Sequence, residues 1–201
     1  ENVSYFRIFV VVSLSGRMAP YGSNGPPPLC SAKVIKKIGD TMNSYPKLNF
    51  PPIKLRARDS RGRTVVFDRV RSLYVVLTPE EWVRRHVVEF LVGRCGAPLR
   101  SIVEEYAVNV NAAPQRADVV VLDGAARPVA LVECKAPDVR ITSEVFEQAT
   151  RYNAVLGARY VILTNGITHF CFERTADGYA PMSAFPDLTP RVPDGDESPD
   201  V

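Results

Sequence analysis

Three observations predict an α/β protein with a central mixed β-sheet flanked by helices. From Thr78 onward the local patterns come in the order helix, strand, strand, strand, helix, strand, with one further strand after that, an αβββαβ succession in which a sheet is covered by helices. Two runs, Val119-Val120-Val121-Leu122 and Val129-Ala130-Leu131-Val132, are apolar throughout, as strands buried on both faces are. Between them lies Asp123-Gly124-Ala125-Ala126-Arg127-Pro128, whose turn-forming residues predict that the two strands lie side by side and antiparallel.

At 201 residues the chain fits one domain with ragged ends. A hydrophobic fraction of 46% and a charged fraction of 23% are ordinary for a globular protein in water. The net charge of +3 is uninformative, but its distribution is not: Lys33 to Arg71 holds eleven Lys or Arg against Asp40, Asp59 and Asp68. That basic stretch could hold a polyanion, and a solvated basic arm explains it equally well. Cys30, Cys95, Cys134 and Cys171 show no metal-binding spacing, so a sulfur-bound metal is not expected and a reducing compartment, the bacterial cytoplasm, fits. The apolar run Phe6 to Leu14 is broken by Arg7 and falls short of the roughly 20 residues a membrane helix needs, so no membrane association is expected.

Taken in order, residues 1–41 are expected to be a poorly ordered extension: a short β-prone run gives way to Gly16, Gly22, Gly25 and Pro26-Pro27-Pro28, and Met18 and Met42 both fit as chain starts. A short helix somewhere in 33–49 is compatible with the pattern, before Pro46, Pro51 and Pro52 punctuate the chain. Residues 42–77 are expected as a basic arm with short strands at 63–68 and 72–77 around a turn at Arg61-Gly62. The segment 78–185 is the main domain.

Its helix begins with Thr78 as N-cap, Pro79 in the first turn and Glu81 three residues after the cap, and it buries Trp82, Val83, Val87, Phe90 and Leu91. Strands follow at 102–110, 117–122 and 129–134. A second helix starts at Thr142 or Ser143 and stops at Gly157. Strands at 160–163 and 168–172 flank the turn Thr164-Asn165-Gly166. Residues 186–201, with five acidic residues against Arg191, are expected as a disordered acidic tail.

The chemistry concentrates between Arg116 and Tyr152. Asp118 begins one apolar strand and Glu133 ends its neighbour, so an antiparallel hairpin puts both carboxylates at one edge of the sheet. Alternation projects Glu133 and Lys135 to one face and Cys134 to the other. Two carboxylates suit Mg²⁺, with Mn²⁺ as a substitute, and the Cys134 backbone carbonyl adds a third oxygen. Lys135 could orient a water or neutralise a phosphate. Gln148 and Tyr152, one helical turn apart, could support it, although Tyr152 packing on the sheet is an equally good reading. Each carboxylate alone could be a strand-end residue or an ion-pair partner. Together they point to a divalent-metal site for cutting phosphodiesters. Arg116 could clamp a phosphate or pair with a carboxylate, and Arg151 is a further candidate nucleic-acid contact. Glu105 and Glu81 are possible further metal-site groups, with capping the stronger reading for Glu81. His86 and His169 have no nucleophile partner at a recognisable spacing, and Trp82 reads as core.

Four motifs carry a family resemblance: Leu77-Thr78-Pro79-Glu80-Glu81-Trp82-Val83-Arg84, Arg116-Ala117-Asp118, Val132-Glu133-Cys134-Lys135-Ala136-Pro137, and Gln148-Ala149-Thr150-Arg151-Tyr152-Asn153. In this order and spacing they resemble the PD-(D/E)XK nuclease superfamily, most closely the N-terminal nuclease domain of type I restriction enzyme R (restriction) subunits, over about half the chain. The resemblance implies a restriction-endonuclease-like core, Mg²⁺-dependent cleavage of DNA, and other restriction-system subunits as partners. It implies catalytic roles for Asp118, Glu133, Lys135, Gln148 and Tyr152. Those subunits also carry an ATP-driven motor, and this sequence has no phosphate-binding loop for one. The alternative is a non-catalytic nucleic-acid-binding or subunit-interaction module on the same fold.

Overall fold

The protein is described by a computed structural model covering residues 10–12, 32–110 and 113–190. Expectations for 1–9, 13–31 and 191–201 lie outside the described residues. A four-stranded sheet in the order β1-β2-β3-β4 comes first, from β1 (Val10–Val12), β2 (Leu55–Ser60), β3 (Arg63–Asp68) and β4 (Leu73–Val76). β1 lies parallel to β2, and the other pairs are antiparallel. The turn Arg61-Gly62 joins β2 to β3, with positive φ at both residues (52° and 80°), the twist that suits a two-residue hairpin. The sequence hides β2 because Arg56, Arg58 and Asp59 interrupt it; only Leu55 and Ala57 are buried.

Residues 32–41, placed by sequence in the N-terminal extension, form most of α1 (Ala32–Asn43). The reason is visible in its apolar spacing: Val34, Ile38 and Met42 recur every four residues, and Ile38 and Met42 are 0% and 1% exposed in the core. Leu55, Ala57 and Val66 of the basic arm share that core with Trp82, Val83, Val119 and Val132.

α2 (Pro79–Gly93) starts as its sequence predicts, with the Thr78 hydroxyl accepting the Glu81 N–H at 3.1 Å. Trp82 is core; its Nε1–H donates to the Pro46 carbonyl at 3.2 Å, and its ring stacks on Tyr45. A six-stranded sheet follows in the order β10-β9-β8-β7-β6-β5. Its strands are β5 (Ile102–Val110), β6 (Ala113–Leu122), β7 (Pro128–Cys134), β8 (Tyr160–Thr164), β9 (His169–Thr175) and β10 (Gly178–Met182). Only β7 and β8 are parallel, and α3 (Ser143–Leu156) is the crossover between them. The sheet is therefore mixed and flanked by helices, as predicted. α3 ends at Gly157 in the left-handed region (φ 69°).

Alternation along β6 and β7 divides the interior. Val119, Val121, Ala130, Val132 and Cys134 face the core under α2, while Val120 and Leu131 face Val145, Ala149 and Tyr152 of α3.

Candidate active site

β6 and β7 pair in register as far as Val119 and Val132. Beyond that pair the ladder is replaced by a side chain: Asp118 Oδ2 accepts the Cys134 N–H at 2.7 Å. The next amide, Lys135 N–H, donates to the Thr164 carbonyl of β8 at 2.8 Å. In a trans peptide the Cys134 carbonyl points the opposite way, toward β6 and Asp118. The Cys134 thiol is fully buried in the opposite core. Burial, then the Asp118 charge, push its pKa well up, so besides the N–H given to Asp118 this residue offers the site its backbone oxygen and not its sulfur.

Glu133 is 3% exposed. Its Oε1 accepts from Lys135 Nζ at 2.8 Å and from Gln148 Nε2 at 2.7 Å, whereas Oε2 is buried with no hydrogen bond. Burial, then the negative charge of Asp118, push its pKa up to about 7. Gln148 Oε1 accepts from Lys135 Nζ at 3.3 Å, Gln148 Nε2 donates to the Tyr152 hydroxyl at 3.1 Å, and that hydroxyl donates to Gln115 Oε1 at 3.4 Å. Tyr152 is also buried against the sheet, so its two readings hold together. The Lys135 pKa is raised: burial works against its charge, but the Glu133 hydrogen bond together with the negative charges of Glu133, Asp118 and Glu80 outweighs it.

Two residues at this site were not singled out from sequence. Arg84, 6% exposed, reaches Asp118 Oδ1 at 2.7 Å, Glu80 at 3.1 Å, and Glu81 and Glu105 at 2.9 Å each. Glu80 is half-exposed, and burial, then the Asp118 charge, raise its pKa. The available signal was the i, i+4 spacing of Glu80 and Arg84, a polar pair within a mostly buried helix. Glu105 faces Asp118 across the β5–β6 ladder, between the pairs Glu104–Val119 and Tyr106–Ala117, with a left-handed backbone (φ 52°) that is uncommon outside glycine. Arg116 is 72% exposed and 3.8 Å from Glu105. Arg151 is exposed and forms no ion pair among the described residues.

A carboxyl with a raised pKa binds its proton more tightly when folded, so its stabilising contribution is complete below about 4.5 and is lost as pH rises through about 7. Glu133→Gln removes that loss. In urea denaturation without divalent metal, the variant is expected to gain on the wild type between pH 5 and pH 8 by on the order of 1–3 kcal/mol. A difference that does not change with pH would mean Glu133 titrates normally.

A second acidic group lies behind the site. Asp68, Glu81 and Glu104 each offer an oxygen within 4.8 Å of the others, close enough to share a cation. Arg85 and Arg71 already contact all three, however, at distances up to 3.7 Å, so their charge is met by guanidinium.

The model of the family described as the type I restriction enzyme R protein N terminus matches residues 79–186. Among solved structures, a fragment of a putative HsdR subunit of a type I restriction enzyme from Vibrio vulnificus is similar, with 24% identity and a TM-score of 0.44 over 55% of this chain. The match covers 24% of that fragment, so this chain corresponds to about a quarter of its length. Among curated proteins there is no match. The family match runs from α2 through β10 and takes in every residue of the candidate site, and by it the chain belongs to the family of type I restriction enzyme R protein N termini.

Proposed function

We propose that this chain is a divalent-metal-dependent endonuclease domain that hydrolyses DNA phosphodiester bonds in a restriction system. The observation that carries this reading is the Glu133 carboxylate: it is buried, raised in pKa by that burial and then by the charge of Asp118, and keeps one oxygen without a hydrogen bond. An acid held this way beside a second acid is poorly placed for stability and well placed to ligate a cation. Asp118, Glu133 and the Cys134 carbonyl form an all-oxygen donor set, with Glu80 close enough for its charge to be felt, and such hard donors suit Mg²⁺ or Mn²⁺.

When bound, such a cation neutralises phosphate charge and makes a bound water more acidic. Lys135 contributes a buried-side ammonium that can hold the attacking water or a phosphate oxygen. Gln148 fixes Lys135 and Glu133 relative to each other, and Tyr152 fixes Gln148. Arg116 and Arg151 are proposed to contact the DNA backbone. DNA and other restriction-system subunits are the proposed partners, in the cytoplasm. Among the described residues no helix is long and apolar enough to cross a membrane.

The test is incubation of the purified chain with supercoiled plasmid and Mg²⁺ or Mn²⁺. Nicked or linear product is expected from the wild type, with at least a hundredfold loss in Asp118→Asn. Salt-sensitive DNA binding without cleavage by the wild type, with either metal, would identify a binding module instead.

A further inference from the structure

The position of Arg84 bears on how the site takes up metal. Both oxygens of Asp118 are engaged, Oδ2 by the Cys134 N–H and Oδ1 by the Arg84 guanidinium at 2.7 Å. A cation thus already sits on the carboxylate that the proposed metal would use. Arginine stays protonated at every accessible pH, so this charge cannot be titrated away. Arg84 does not depend on Asp118 for pairing, because Glu81 and Glu105 each lie 2.9 Å from its Nη1, and neither belongs to the proposed metal set. It can release Asp118 without being left as an unpaired buried charge.

We infer that Arg84 is a resident counter-ion of the metal site, occupying Asp118 in the metal-free protein and holding down the site's affinity for divalent cations. This rests on the metal-dependent reading above. A guanidinium this close to a ligand oxygen stands roughly 4–5 Å from a dication bound to that oxygen. Even at the dielectric constant of water, repulsion at that distance is worth more than about a tenfold change in affinity. Arg84 is a positioning residue in this scheme: it acts on the metal through Asp118 and has no required contact with DNA.

Metal binding can be read without cleavage, by calorimetric titration of Mn²⁺ into wild type, Arg84→Gln, Arg84→Lys and Asp118→Asn at pH 8. Arg84→Gln is expected to bind Mn²⁺ at least about tenfold more tightly than wild type, and Arg84→Lys, which restores the charge, to return toward it. Unchanged or weaker binding by a folded Arg84→Gln would overturn the inference, since an arginine that merely braces the carboxylates would lower affinity when lost. Should Arg84→Gln not fold, the Arg84 Nε–H resonance of the wild type provides the readout. Saturating Mg²⁺ should shift it as the Asp118 contact loosens, and no shift would overturn the proposal. Failure of the metal reading itself looks different: Mn²⁺ would bind none of the proteins, or would bind Asp118→Asn as well as wild type.

Discussion

Lys135→Ala is expected to reduce metal-dependent DNA cleavage by about 10²–10³-fold, the loss typical when one preorganised electrostatic group is removed from an active site. The side chain is 22% exposed, and its ammonium lies 2.8 Å from Glu133 and 3.3 Å from Gln148, so it is held in place before any substrate arrives. It is also the group that opposes the rise in the Glu133 pKa. Removing it takes that restraint away, so residual activity should require a higher pH than in the wild type. Lys135→Arg should rescue poorly, because a planar fork does not reproduce a point charge shared between Glu133 and Gln148. Folding should change little, since a deprived Glu133 can take up a proton. Plasmid cleavage across pH 6 to 9, together with thermal unfolding, reads all three expectations; wild-type cleavage by Lys135→Ala would remove Lys135 from the proposed chemistry.

The parts of the fold legible in the sequence are those whose patterns are set locally. α2 announces itself through Thr78, Pro79 and Glu81, α3 ends on the only residue type that adopts φ 69° at little cost, and the second half of β6, most of β7 and β8 are apolar runs of strand length, whereas the polar first half of β6, 113–116, was not anticipated. β2 and β10 were missed because neither has that signature: charges interrupt β2, and β10 is an edge strand containing Pro181, with Ala180 and Pro181 exposed. The meeting of Glu133, Lys135, Gln148 and Tyr152 could be anticipated because strand alternation and helix periodicity each select a face. Glu80 and Arg84 could not be chosen in this way. Glu80 and Glu81 are both first-turn acids, and which of them approaches Asp118 depends on how α2 lies on the sheet, a tertiary fact. The pairing of Asp68 with Glu104 likewise joins two sheets far apart in sequence and leaves no local trace.

Arg85→Ala is expected to destabilise the protein by about 3–5 kcal/mol, as breaking a buried ion pair does by leaving its partners uncompensated. Arg85 is 4% exposed. It hydrogen-bonds Glu104, pairs with Asp68 at 2.9 Å, and places Nε 2.6 Å from Glu81 Oε1 without the alignment of a hydrogen bond. Arg71 contacts the same three acids. Arg71 and Arg85 each face all three carboxylates, and Arg84 reaches Glu81 as well. Of the three acids Glu104 is the one whose proton is held at neutral pH: burial, then its hydrogen bond with Asp68, push its pKa up to about 8. The Asp68 carboxyl moves the other way, because the bond from Glu104, the Arg71 N–H and the nearby Arg85 charge outweigh its burial and hold it well below the usual carboxylate range. Glu104→Gln should therefore cost under about 1 kcal/mol at neutral pH, since an amide replaces a group already neutral. In Arg85→Ala, Glu104 loses a counter-charge that opposes the rise of its pKa, which moves higher still, so the deficit should be larger at pH 8 than at pH 5.5. Urea denaturation of both variants at those two pH values checks this, and an Arg85→Ala protein within 1 kcal/mol of wild type would mean the cluster is solvated in a way its burial denies. The consequence reaches the candidate site through Glu81, whose second oxygen pairs with Arg84 at 2.9 Å. Asp68 and Arg71 of the basic arm, by anchoring α2 through this cluster, also set where Arg84 and Glu80 meet Asp118, and a 78–185 domain cut free of the arm should lose that alignment.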